Sequence, residues 1–192
     1  MLQLINSQPR NMKKFCILLS TLLLLFAGSQ EGTAQTTKYK HETDKYTIEF
    51  PNQFQQNTQY LETAVGTLLM NISAWASDEN SNDSNLVYML FDTDYPDSTI
   101  HSDKKDKLNI FFDGAINGAV NSSKGKLISQ TEGTTGIYPH RIIEIEYQEG
   151  LAMIRMKMIL VKNKSIIIQT ITLKENYPND SITRFFNSLR LK

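Results

Sequence analysis

Three alternating runs near the C-terminus constrain this chain more than any other feature. They are RIIEIEYQEG from Arg141, LAMIRMKMILV from Leu151 and SIIIQTITL from Ser165. Side chains along a strand point in turn to opposite faces, so each run offers one apolar side. A hairpin turning at Glu149-Gly150 sets Ile145 against Ile154, Ile143 against Met156 and Tyr147 against Ala152. On the other face Glu144 meets Arg155, with Lys157 on the diagonal. Such an opposite-charge pair contributes about 0.2–1 kcal/mol. A one-residue slip would mix the faces, so the register is well specified. A second turn at Asn163-Lys164 pairs Leu160 with Ile167, Met156 with Ile171 and Ile154 with Leu173.

The charged face of this meander divides in two. Ile159, Val161, Ile166 and Ile168 make one end apolar, and Arg155, Lys157, Thr170 and Thr172 make the other polar. The pattern predicts a helix over the apolar end. It leaves Glu144, Arg155, Lys157, Thr170 and Thr172 as an open charged surface, either simply solvated or used for recognition. His140 shares that face with Glu144, but four strand residues separate them by ~13 Å. That is too far for a direct acid–base pair within one strand.

Upstream, KYTIEF puts Tyr46, Ile48 and Phe50 on one face, and TLLMNISAWA does so for Leu68, Met70, Ile72, Ala74 and Ala76. LVYMLF, Leu86 to Phe91, is apolar on both faces, as expected of a central strand covered on both sides. Leu108, Phe111, Phe112, Ala115 and Ala119 recur at helical steps, with Ser102 or Asp103 as the cap. Ile182, Phe185, Phe186 and Leu189 form the stripe of a closing helix capped by Asp180 or Ser181. Trp75 faces away from Met70 and Ile72, and either sits under a helix or lines a ligand groove.

The first 34 residues read as a signal peptide, and Met12 opens a better leader than Met1. Lys13 and Lys14 precede a twelve-residue apolar run, Phe15 to Phe26, and Gly32-Thr33-Ala34 fits a cleavage site. A membrane span needs about 20 apolar residues, so a cleaved leader is the better reading. Residues 35–192 then form one exported domain, periplasmic or secreted, touching membrane only through an uncleaved leader. Cys16 is the only cysteine, so the exported part has neither thiol chemistry nor a disulfide. Cleavage removes three of 20 basic residues (Arg10, Lys13, Lys14) and one of 20 acids (Glu31), leaving a net charge of minus two. Nothing in that balance suits a nucleic-acid backbone.

No catalytic signature appears. His41, His101 and His140 lack metal-ligand spacing, so no metal and no cofactor is expected. DENSNDSN alternates Asp78, Asn80 and Asn82 like a calcium loop, but Asp83 replaces the required glycine and Met89 the final glutamate.

The order of elements carries a resemblance. A strand ends in Phe50-Pro51, a Gly-x-x-Pro element reads GIYPHR, and the chain closes with FFNSLRL. From Tyr39 to Leu191 this resembles the PsbP-like superfamily, which includes a photosystem extrinsic protein, a nuclear Ran-binding protein and bacterial envelope proteins. Many relatives read Pro-Gly-Arg where this chain has Pro139-His140-Arg141. The resemblance implies an α+β fold, an antiparallel sheet with helices packed on both faces, in an envelope branch. It implies docking or accessory work and carries over no catalytic residue.

Three functions follow as expectations. The first is an exported non-enzymatic binding or accessory protein, docking a protein partner through the exposed sheet face. The second is an envelope hydrolase using His140 and nearby carboxylates. The third is a small-ligand or lipid-binding module using Trp75 and the methionine-rich strand.

Overall fold

The computed structural model describes residues 39–78, 81 and 83–192. The expected leader, its cleavage site and Cys16 lie outside the described residues, as do Asn80 and Asn82 of the calcium-like loop. Among the described residues are ten strands and two α-helices. In chain order these are β1 (Tyr39–Glu42), β2 (Tyr46–Phe50), β3 (Gln55–Thr63), β4 (Gly66–Ala76), β5 (Asn85–Asp94), α1 (Lys105–Ser123), β6 (Lys126–Thr135), β7 (Tyr138–Tyr147), β8 (Ala152–Val161), β9 (Lys164–Leu173), α2 (Asp180–Ser188) and β10 (Arg190–Leu191). Seven strands form one antiparallel sheet in the order β3-β4-β5-β9-β8-β7-β6, and β1-β2-β10 form a small second sheet. The mixed α+β class with antiparallel sheets matches the sequence reading. No helix among the described residues is long and apolar enough to cross a membrane.

The β7–β8 register is the one the side chains demand: Ile145 faces Ile154, Ile143 faces Met156 and Glu144 faces Arg155. The β8–β9 register differs from expectation by two residues. Leu160 meets Ser165 and Ile154 meets Ile171, because the chain turns at Lys162-Asn163, with Lys162 at φ 54°. An even shift keeps every side chain on its face, so the division into apolar and polar ends survives.

β5 lies inside the large sheet between β4 and β9, as its two-sided apolar run requires. One of its faces, with Tyr88 and Leu90, joins Ile159, Ile166 and Ile168 under α2 and β2. The α2 stripe, Ile182, Phe185, Phe186 and Leu189, is buried there together with Tyr46, Ile48 and Phe50 of β2. Phe185 is the joint. Its ring lies 5.2 Å from Phe50 of the small sheet and 5.1 Å from Tyr88 of the large one, edge-on to both. Asn179, rather than Asp180 or Ser181, caps α2 by accepting from the Ile182 N–H at 3.0 Å. α1 likewise starts without the expected Ser102 or Asp103 cap, its N-cap position falling on Lys104. It buries Phe112 and Ile116, and the Phe112 ring lies 5.0 Å from the Arg141 guanidinium of β7.

A buried polar network holds the small sheet to the edge of the large one. The Tyr46 hydroxyl donates to Asp92 Oδ2 at 2.7 Å, so its lone pair is left to accept from His41 Nε2 at 3.3 Å. That proton arrangement leaves His41 Nδ1 bare, and it accepts from Gln56 Nε2 and Ser73 Oγ, each at 3.2 Å. The imidazole is therefore neutral and satisfied at both nitrogens. Burial pulls its pKa below the ordinary value, and the Asp92 charge only partly opposes this. Burial pushes the Asp92 carboxyl up, but hydrogen bonds from Asn71, Tyr46 and Lys164 outweigh it and hold the group ionised.

The histidine linkage has a definite sign. An unfolded histidine titrates near 6.5, and burial lowers both His41 and His140 below that. Below pH 6.5 the unfolded chain therefore binds more protons than the folded one, so stability falls as pH drops through that window. A melting-temperature series from pH 7.5 to 5 should show this decline, and His41→Gln should flatten it while lowering the neutral-pH value. An unchanged slope in the variant would count against His41 as the titrating group.

Candidate functional site

The residues singled out from sequence fall on one face of the large sheet and largely in one row. Trp75 lies opposite Tyr88, Tyr88 opposite Thr170, Thr170 opposite Arg155, Arg155 opposite Glu144, and Glu144 opposite Ser129. The next row over sets Lys157 between Ile168 and Ile142, and the one beyond sets His140 beside Ile159.

The expected open charged surface is not what the structure builds. Thr170 and Thr172 are both 0% exposed. Arg155 lies under α2, its guanidinium carbon 5.5 Å from the centre of the Phe186 ring. Glu144 accepts from the Tyr177 hydroxyl, which the segment before α2 brings over it, and from Ser129 Oγ at 2.9 Å. Burial pushes Tyr177 above the ordinary phenol range, and the bond to Glu144 adds to that. Thr172 donates to Asn85 Oδ1, and Asn85, itself 0% exposed, also takes a bond from Asn179 at 3.0 Å. The same asparagine that caps α2 thus ties the helix to the polar end of the sheet. Sequence polarity was a poor guide to wetness here because Glu144 and Thr172 find partners in Tyr177, Ser129 and Asn85.

Two atoms in this layer stay unsatisfied. Among the described residues, neither Arg155 Nε nor Thr170 Oγ1 has a hydrogen-bond partner, though both are buried. Trp75 packs on Tyr88, ring centres 5.5 Å apart, at the margin of the α2 core. A cleft of about 190 Å³ is lined by Tyr88, Glu49, Asp83 and Arg184 among others.

Lys157 and His140 are different. Lys157 is half-buried, and burial alone lowers its pKa. Among the described residues it makes no hydrogen bond or ion pair. His140 is also half-buried, its Nδ1 3.0 Å from Thr135 Oγ1. Burial lowers its pKa first, then the charges of Lys157 and Arg141. Its ring lies close to β6 at Gly133, where a Cβ would come within 2.9 Å of Nε2. With Ile142 and the exposed Thr131, the Lys157 ammonium and the His140 ring leave a half-open strip across β6, β7 and β8.

The sequence reading passed over the His41–Tyr46–Asp92 network, weighing His41 only as a metal ligand. Its members are drawn from β1, β2, β3, β4 and β5, so no local spacing announces it. Among the described residues no group of three or more His, Cys, Asp or Glu could hold a metal ion.

Comparison with known proteins places the chain far from characterised ones. No family model and no curated protein matches it. Among solved structures it is similar to cyanobacterial PsbP (CyanoP) from Synechocystis sp. PCC 6803, with a TM-score of 0.49 and 12% identity, over 86% of this chain and 99% of that one. It is also similar to a Pseudomonas aeruginosa protein of unknown function, with a TM-score of 0.35 and 14% identity, over 64% of this chain and 87% of that one.

The orphan hydroxyl gives a direct test of whether the Thr170 layer is structural. Thr170→Val keeps the shape and removes a buried, unpaired donor, so it should raise the unfolding free energy by about 1 kcal/mol. The midpoint of a urea titration would show it. A loss of similar size would mean that the hydroxyl has a partner after all.

Proposed function

We propose that the protein is an exported, non-enzymatic binding or accessory protein that docks a protein partner on the β6–β7–β8 strip carrying His140, Ile142 and Lys157. The observation that carries this reading is Lys157. Half-buried and, among the described residues, without an anion beside it, its ammonium has lost hydration without recovering it in an ion pair. A carboxylate from a partner would supply the missing charge, and the apolar Ile142 next to it would be covered at the same time. The reading takes α1 and α2 as covers on opposite faces. Arg141, under Phe112 of α1, alternates along β7 with His140 and Ile142, which share the α2 side. Export rests on the leader-like N-terminal pattern.

The hydrolase reading asks for a carboxylate beside His140, whereas the charges acting on that ring are the cations Lys157 and Arg141. They disfavour the imidazolium that a general base must form.

The structure separates two residues that sequence treats alike. Lys157→Glu reverses the half-open charge and should lower the melting temperature by less than about 2 °C. Arg155→Glu places a carboxylate beneath Phe186 and opposite Glu144, and should cost about 2 kcal/mol or more. Site-specific photocrosslinking from position 142 in cells should capture one acidic protein in the wild type and lose it in Lys157→Glu. An identical crosslinking profile in that variant would overturn the docking reading.

A further inference from the structure

The two edges of the large sheet are built differently. β6, at one edge, carries Lys126 and Glu132 and is broken by a register shift between Leu127 and Ser129. Charges and bulges of this kind stop an edge from pairing with another chain. β3, at the other edge, reads QQNTQYLET: nine residues in unbroken register with β4, with Glu62 the only charge and neither lysine nor proline. Among the described residues, neither a bulge, a proline nor a lysine interrupts this strand.

The hairpin of β3 and β4 also overhangs the sheet. β4 pairs with β5 only from Met70 to Ala76, so Gly66 to Leu69 pair with β3 alone. On this overhang Tyr60 is 76% exposed and its cross-strand neighbour Leu69 50% exposed, on one face. Leu61 and Leu68 pair on the other. A ribbon that is apolar on both faces gains nothing from standing in water.

We infer that β3 is a self-association edge, at which two copies of this chain join antiparallel about a two-fold axis at Gln59. The occupant follows from the edge itself. A row of backbone N–H and C=O groups is satisfied by an extended strand. The protected β6 edge disfavours head-to-tail pairing, which leaves β3 on β3, a closed arrangement. Centring on Gln59 overlaps the whole strand, residue 55 against 63 and 56 against 62. That register sets the lone Glu62 across from Gln56 rather than from another carboxylate. It also brings the Tyr60–Leu69 patches of the two copies side by side. The inference uses a different edge from the docking strip and stands or falls separately from it.

The test is a pair of charge variants on the purified protein. Light scattering at tens of micromolar should give the mass of two chains for the wild type. Gln59→Lys and Gln59→Glu each put like charges across the axis and should weaken association by about tenfold. An equimolar mixture of the two variants should restore the two-chain mass, while each unfolds at the wild-type midpoint when dilute. A wild type that remains one chain at tens of micromolar overturns the inference, whether or not β3 accepts a foreign peptide. So does a dimer that both variants leave intact.

Discussion

Phe185 links parts of the molecule that would otherwise have little reason to stay together. The small sheet has three strands, one of them two residues long, and its apolar face needs an outside partner. α2 supplies it. The aromatic ring of Phe185 meets Phe50 on one side and Tyr88 on the other, and the rest of the stripe buries Ile159, Ile166 and Ile168. Once α2 is seated there, Phe186 falls over Arg155 and the Tyr177 segment over Glu144. The position of one helix thus decides which polar residues of the sheet see water.

Those parts of the fold governed by period two were legible in the sequence. The β7–β8 register followed from matching apolar and charged pairs, and the α2 stripe holds at Ile182, Phe185 and Phe186, with Leu189 buried just past the helix end. The β8–β9 register was displaced because turn position depends on one backbone angle, at Lys162, that composition does not announce. β3 went unread because it is mostly polar and its adjacent Tyr60 and Leu61 give no alternation, which an edge strand can lack without losing its backbone pairing. The helix caps were missed by a residue or two, where local chemistry offers several equivalent side chains.

The site was legible in membership and not in exposure. Glu144, Arg155, Lys157, Thr170 and Thr172 do share a face, as the alternation requires. What sequence could not show is that Asn85 and Asn179, 94 positions apart, would reach one another and Thr172 beneath the helix. Arg155 and Lys157 sit two residues apart on one strand, yet one is roofed by an aromatic ring and the other, among the described residues, makes no hydrogen bond or ion pair. The buried His41 network is the same lesson, since long-range polar satisfaction leaves no periodic trace.

The contact between Gly133 and the His140 ring ties two positions on neighbouring strands into a single choice. Any side chain at 133 would have to push the imidazole off β6. A chain carrying a small residue at 140 is released from that restriction and can place a larger one at 133. The two sites should therefore drift as a unit, bulk on one strand being exchanged for bulk on the other, while their backbones stay in step.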